Sequence, residues 1–137
     1  LIIQDFVPLL FVVAILVGFH FLRLKLMGAT VTSDELAERM KVDDVKVIDV
    51  RSAPEYHGDM GHIPGAVNIP VGELAGEIDM IKNGEGVQKD APVVTICRTH
   101  NRSPRAARML RDAGFSDVYV LKNGMVGWTR KGLPVEK

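Results

Sequence analysis

Pro92-Val93-Val94-Thr95-Ile96-Cys97-Arg98-Thr99-His100-Asn101-Arg102-Ser103-Pro104 is the stretch on which the reading of this chain turns. It opens on a nearly continuous apolar run, the pattern of a strand buried on both faces of a sheet. It closes on Ser103-Pro104, which predicts a helix start with Ser as N-cap and Pro at the first helical position. Ala106, Ala107, Met109, Leu110 and Ala113 give that helix an apolar face, and Gly114 ends it. Between strand and helix lies a loop with the chain's one cysteine and two arginines. Open α/β sheets bind ligands in the loops at the carboxyl ends of their strands. Backbone N–H groups and the helix dipole make such a loop attractive to anions. Electropositive surroundings stabilise a thiolate, the nucleophilic form of cysteine. Cys97 on its own would read as a small buried hydrophobe. Arg98, Arg102 and the helix start beside it point instead to a reactive site.

Outward from this loop the chain alternates between strands and helices. Thr32 and Glu35 form a capping box for a helix reaching about Met40. Lys46-Val47-Ile48-Asp49-Val50 predicts a strand, and Ala66-Val67-Asn68-Ile69 an extended stretch between Pro64 and Pro70. Val71 to about Lys82 has helical spacing through Leu74, Ile78 and Ile81, with a stop at Asn83-Gly84. Val118-Tyr119-Val120-Leu121 predicts another strand, and Gly124 to Lys131 a short last helix. The alternation implies a mainly parallel sheet with helices on both faces.

The 137 residues are room for one domain of ordinary size. Lys+Arg and Asp+Glu both number 17, which argues against a general nucleic-acid binder. A single cysteine excludes an intrachain disulfide and a zinc site built on several thiolates. Residues 1–29 hold only Asp5, Arg23 and Lys25 as charged groups, so 30–137 carry a net charge of −1. Phe6 to Leu22 is apolar apart from His20 and predicts a membrane anchor, with residues 5–27 in or at the membrane. A cleaved signal would carry its basic residues ahead of the run, whereas here they follow it. Arg23, Lys25, Arg39 and Lys41 then place the remainder in the cytoplasm, on the inner face of the plasma membrane. The expected division is an anchor and juxtamembrane segment over 1–29 and an α/β domain over 30–137.

The loop Cys97-Arg98-Thr99-His100-Asn101-Arg102-Ser103 resembles the active-site loop of single-domain rhodaneses, the thiosulfate sulfurtransferases. Asp49-Val50-Arg51, Glu55-Tyr56, Gly61-His62-Ile63-Pro64-Gly65-Ala66 and Asn68-Ile69-Pro70 are similar to the family's first signature. Asn123-Gly124-Met125-Val126-Gly127-Trp128 with Gly132-Leu133-Pro134 is similar to its C-terminal one. The resemblance covers residues 30–136 and implies a mainly parallel five-stranded sheet flanked by helices, here preceded by one transmembrane helix. Cys97 to Arg102 resembles the C-x4-R loop of sulfur-handling rhodaneses rather than the wider C-x5-R loop of related phosphatases and arsenate reductases.

The resemblance implies ping-pong sulfur transfer through a Cys97 persulfide. The donor is a small molecule such as thiosulfate or a persulfide, or a protein; the acceptor is a thiol, or cyanide in the assay. Arg98, Thr99, His100, Asn101 and Arg102 are the expected substrate-binding residues. Asp49, Arg51 and Ser103 are possible supporting ones, with Asp49 and Arg51 read as an internal ion pair shared with Glu55. No cofactor, metal or nucleic acid is expected. His57, His62 and His100 lack zinc-site spacing, His62 reads as a packing residue and Trp128 as a core anchor. Arg105, Arg108 and Arg111 read as a solvated helix face. His100 departs from the glycine common at its loop position, so either the bowl is altered or an imidazole lines its rim. The alternatives are a partner-binding module without catalysis, tethered to the membrane, and a persulfide relay charged by a protein donor.

Overall fold

The computed structural model describes residues 2–27, 29–83 and 89–137. Five strands and six helices follow one another in the order α1 (Ile2–Met27), β1 (Thr30–Val31), α2 (Ser33–Val42), β2 (Lys46–Asp49), α3 (Ala53–Tyr56), β3 (Val67–Asn68), α4 (Leu74–Asn83), β4 (Val93–Ile96), α5 (Ser103–Asp112), β5 (Val118–Leu121) and α6 (Gly124–Arg130). The strands form one sheet in the order β1-β5-β4-β2-β3, with every pairing parallel. Four of the five strands lie where the residue patterns put them. β1 has only two residues, too few for a periodic signal, yet Thr30 pairs with Val120 and Val31 with Leu121.

β4 is central and all four of its residues are buried, as its unbroken apolar run requires. Its two faces belong to separate cores. Val93 packs with Ile48, Leu74, Ala106, Ala107, Leu110 and Phe115 under α4 and α5. Val94 and Ile96 pack with Leu36, Ile63, Leu121, Met125 and Trp128 under α2 and α6. Burying a side chain the size of Leu110 contributes about 1.5–3 kcal/mol. Trp128 is the expected core anchor, 2% exposed, and its indole N–H donates to the Pro134 carbonyl at 2.9 Å.

Several local expectations change. The Thr32 capping box forms as read, with the Glu35 N–H donating to Thr32 Oγ1 at 3.2 Å. A second one, Ser52 with Glu55, starts the short α3, which the strand and helix patterns passed over. α4 begins at Leu74 rather than Val71, and the expected stop at Gly84 lies outside the described residues. Pro8 lies inside α1, so the helix forgoes one backbone hydrogen bond there.

α1 has 26 residues, roughly 39 Å at 1.5 Å per residue. Phe6, Leu9, Leu10, Phe11, Leu16 and Phe19 along it are each more than half exposed. Among the described residues, no helix is long and apolar enough to cross a membrane. The side chains of Asp5, His20, Arg23 and Lys25, on which the anchor reading drew, lie outside the described residues.

Candidate active site

The chain runs outward from β2 to β3, returns to the centre at β4, and then runs the other way to β5. The crevice beyond the carboxyl ends of the adjacent strands β2 and β4 is therefore a topological switch point, the usual ligand site of such sheets. β4 ends into Cys97 and β2 into Val50 and Arg51, so the sequence-read loop and its supporting residues meet there.

Cys97 is buried at the start of the loop, 1% exposed. Its Sγ lies 3.2 Å from the Ser103 Oγ, itself fully buried. This corrects the expected role of Ser103. Arg102 is the N-cap residue of α5 and Ser103 the first helical one. The Ser103 hydroxyl is turned to the thiol rather than to the helix N–H groups, and the Ser103 carbonyl accepts a hydrogen bond from Thr95 Oγ1 at 2.9 Å.

Residues 98–102 form the connecting loop. Among the described residues, no backbone hydrogen bond is donated by the N–H groups of 98–102. Hydrogen-bond donors left over at a helix N-terminus are suited to an anionic sulfur. The loop is held instead by its carbonyls: the Met125 N–H donates to Cys97 O and the Val126 N–H to Arg98 O, both at 3.0 Å. That contact needs Gly124. Its φ is +51°, and a Cβ there would come within 3.0 Å of the carbonyl oxygens of Cys97, Arg98 and Thr99. Gly124→Ala is expected to cost about 2–3 kcal/mol, from left-handed backbone strain and displacement of the loop. Urea denaturation would register the loss, and faster alkylation of Cys97 would register the loosened loop; wild-type values of both would refute this account of Gly124.

His100 is exposed on the loop, and Asn123 is the one non-glycine residue with positive φ among those described. The glycine common at position 100 in the family is thus replaced without left-handed strain.

The two loop arginines differ. Arg98 is exposed, with no ion pair among the described residues. Arg102 makes a two-pronged pair with Glu55, Nη1 to Oε1 at 2.6 Å and Nη2 to Oε2 at 2.9 Å. Hydrogen bonds from Arg102, and secondarily from Ser52, hold the Glu55 carboxyl down at about 2, so it stays ionised at any working pH. The same pair raises the Arg102 guanidinium above its usual range. Glu55 was expected to join Asp49 and Arg51; only its backbone carbonyl does so, accepting from Arg51 Nη1 at 3.2 Å.

Asp49 and Arg51 are both fully buried and pair directly, Nη2 to Oδ2 at 2.7 Å and Nε to Oδ1 at 2.9 Å. Arg51 Nη2 also donates to the Gly61 carbonyl at 2.8 Å. The pair is a buried strut at the crevice that adds no net charge to it. His62 stacks on Tyr56, ring centroids 3.6 Å apart, and its Nδ1 meets the Tyr56 carbonyl, the packing role expected of it. No cluster of His, Cys, Asp and Glu able to hold a metal occurs among the described residues. Arg111 is not a plain surface residue, since its Nη2 donates to the Val118 carbonyl at 3.1 Å.

A parallel α/β sheet with a cysteine loop at its switch point, lined with spare backbone donors, defines a class of protein built to hold a sulfur or oxygen anion against a thiol. The comparisons narrow that class. The profile of the rhodanese-like domain matches residues 32–131, and the chain belongs to that family. It is 38% identical over 109 residues to an HTH-type transcriptional regulator of Mycobacterium tuberculosis, covering 78% of this chain but 44% of that protein. It is 32% identical over 106 residues to a sulfurtransferase of Allochromatium vinosum, covering 77% of this chain and 92% of the relative. Among solved structures, a human single-domain sulfurtransferase superposes with a TM-score of 0.67 at 27% identity, over 76% of this chain and 97% of that one. The five-stranded parallel α/β fold expected from the resemblance is the fold observed, while the transmembrane helix expected ahead of it is not seen among the described residues; sulfur transfer is the activity named for two of these relatives.

Proposed function

We propose that this protein is a sulfurtransferase that moves sulfane sulfur from thiosulfate or a persulfide to an acceptor thiol through a persulfide on Cys97. The observation that carries the reading is Cys97, buried at the start of a C-x4-R loop and 3.2 Å from the Ser103 hydroxyl, followed by N–H groups 98–102 that donate to no backbone carbonyl among the described residues.

The Cys97 thiolate attacks the outer sulfur of thiosulfate. A Cys97 S–S bond forms, the donor's S–S bond breaks, and its electron pair leaves with sulfite. An acceptor thiolate then attacks the terminal sulfur, and Cys97 returns as thiolate. Each step exchanges one sulfur–sulfur bond for another and needs no outside oxidant. The donors of residues 98–102 and the Ser103 hydroxyl stabilise the persulfide anion where its charge develops. Arg98, exposed and in no ion pair among the described residues, draws the anionic donor in; Thr99, His100 and Asn101 line the rim. Asp49 and Arg51 support the loop.

The reading is tested with the full chain in detergent micelles, incubated with thiosulfate and weighed intact. A gain of one sulfur, about 32 Da, is expected, followed by its loss to cyanide with thiocyanate formed. A folded protein that gains no sulfur from thiosulfate or from a persulfide overturns it and favours a module that only binds a partner.

The proposal extends to a membrane location for α1, with the domain over 30–137 on the cytoplasmic face. Its support is physical: Phe6, Leu9, Leu10, Phe11, Leu16 and Phe19 are each more than half exposed, and a lipid surface would take this apolar area out of water. The full chain is expected in the membrane fraction after an alkaline wash; recovery in the soluble fraction would refute it.

A further inference from the structure

We infer that Glu55 is a specificity-determining residue, which cancels the charge of Arg102 and so turns the site from dianionic thiosulfate towards a monoanionic persulfide carried on a larger molecule. The inference rests on the sulfur-transfer reading above and names the donor class of that site.

The C-x4-R loop brings two guanidinium groups to the crevice, but Arg102 is held at 2.6 and 2.9 Å by both oxygens of a permanently ionised Glu55. Arg102 ends the loop that begins at Cys97, as the N-cap residue of α5. One free loop cation, Arg98, then remains among the described residues. Attack of a thiolate on thiosulfate gathers three negative charges in the transition state, with sulfite as the leaving dianion. Attack on R–S–S⁻ gathers two, with R–S⁻ leaving and the Cys97–S–S bond formed in the same way. A missing cation penalises the triply charged arrangement more.

Space points the same way. A cavity of about 390 Å³ is lined by Arg51, Glu55, Gly58, Asp59, Met60 and Arg98. Cavities of roughly 300 Å³ and more hold molecules far larger than a four-heavy-atom inorganic anion. Asp59, in no ion pair among the described residues, opposes a free dianion there, while Met60 and Arg98 suit an organic chain ending in a single negative sulfur.

Glu55→Gln isolates the charge, because glutamine at the third helical position preserves the Ser52 capping box that starts α3. The measurement is the second-order rate of sulfur loading onto Cys97 of the full chain, with thiosulfate and with hydroxyethyl persulfide as the two donors. Glu55→Gln is expected to raise the thiosulfate-to-persulfide rate ratio about tenfold, mainly through the thiosulfate rate. Arg102→Gln, which leaves Glu55 without its counter-charge, is expected to lower the ratio by a similar factor. A residue that only braced α3 would depress both rates together in either variant. Ratios within about twofold of wild type in both variants, with loading intact, overturn this inference alone. A wild-type chain that loads from neither donor overturns the sulfur-transfer reading, and this one with it.

Discussion

Cys97→Ser is expected to abolish sulfur loading, a fall on the order of 10³-fold or more, while leaving the fold in place. Serine has nearly the same shape, but its hydroxyl ionises far above any working pH and its oxygen forms no stable analogue of a persulfide. The chain holds no second cysteine that could substitute for it. The structural cost is small because the new hydroxyl takes the place of an atom 3.2 Å from Ser103 Oγ, within hydrogen-bonding reach of a partner. Set against this, a buried hydroxyl replaces a sulfur packed beside Ile48, Val50 and Ala106, so about 1 kcal/mol of lost stability is expected. Intact mass after thiosulfate, together with a thermal melt, separates the two effects. Sulfur retained on a folded Cys97→Ser chain would remove Cys97 from the mechanism, whereas a chain that does not fold would show that the thiol is chiefly a core residue.

The parts of the site that were legible in the sequence are those whose signal is local. The apolar run 92–96 fixed a buried strand, and everything read at its end, Cys97 with Arg98 and Arg102 around it, lies at the switch point. Ser103-Pro104 marked the helix start correctly to within one residue. The role of the hydroxyl was missed because Ser before Pro looks the same whether it caps the helix or begins it. The difference lies in a tertiary partner, Cys97, packed against it. The partner of Arg102 was hidden for a stronger reason. Glu55 lies 47 positions away in the chain, on a helix of four residues. The Ser52-Glu55 spacing fits a capping box that the sequence reading passed over, and nothing local tells which arginine its carboxylate meets. Gly124 was noticed as part of a motif. Its reason, the passage of three loop carbonyls over a position with no Cβ, exists only once α6 has docked on the loop.

The buried strut at the crevice sets the largest expected loss of stability. Asp49→Ala is expected to cost 3–5 kcal/mol, roughly 10–20 °C in Tm for a domain of this size. The fully buried Arg51 would lose its counter-ion and the acceptor of its Nε and one Nη2 hydrogen bond, keeping only the carbonyls of Glu55 and Gly61. A guanidinium does not escape by deprotonation, so the charge stays on a fully buried side chain. Asp49→Asn should lie between, since it keeps an acceptor near Arg51 and removes the charge. The double variant Asp49→Leu with Arg51→Met should be markedly more stable than Asp49→Ala, because the penalty comes from the orphaned charge and not from the absence of the pair. Chemical denaturation of the three variants provides the test. A loss below 1 kcal/mol in Asp49→Ala would mean that water or a rearranged carboxylate reaches Arg51, and that the pair is not the strut described. With the expected loss, the thiosulfate-loading rate of the surviving folded fraction becomes informative. Arg51 ties the end of β2 to the carbonyls of α3 and of Gly61, so an intact strut holds Glu55 where it can grip Arg102. Weakening the strut should therefore disturb the electrostatics of the loop as well as the stability of the sheet.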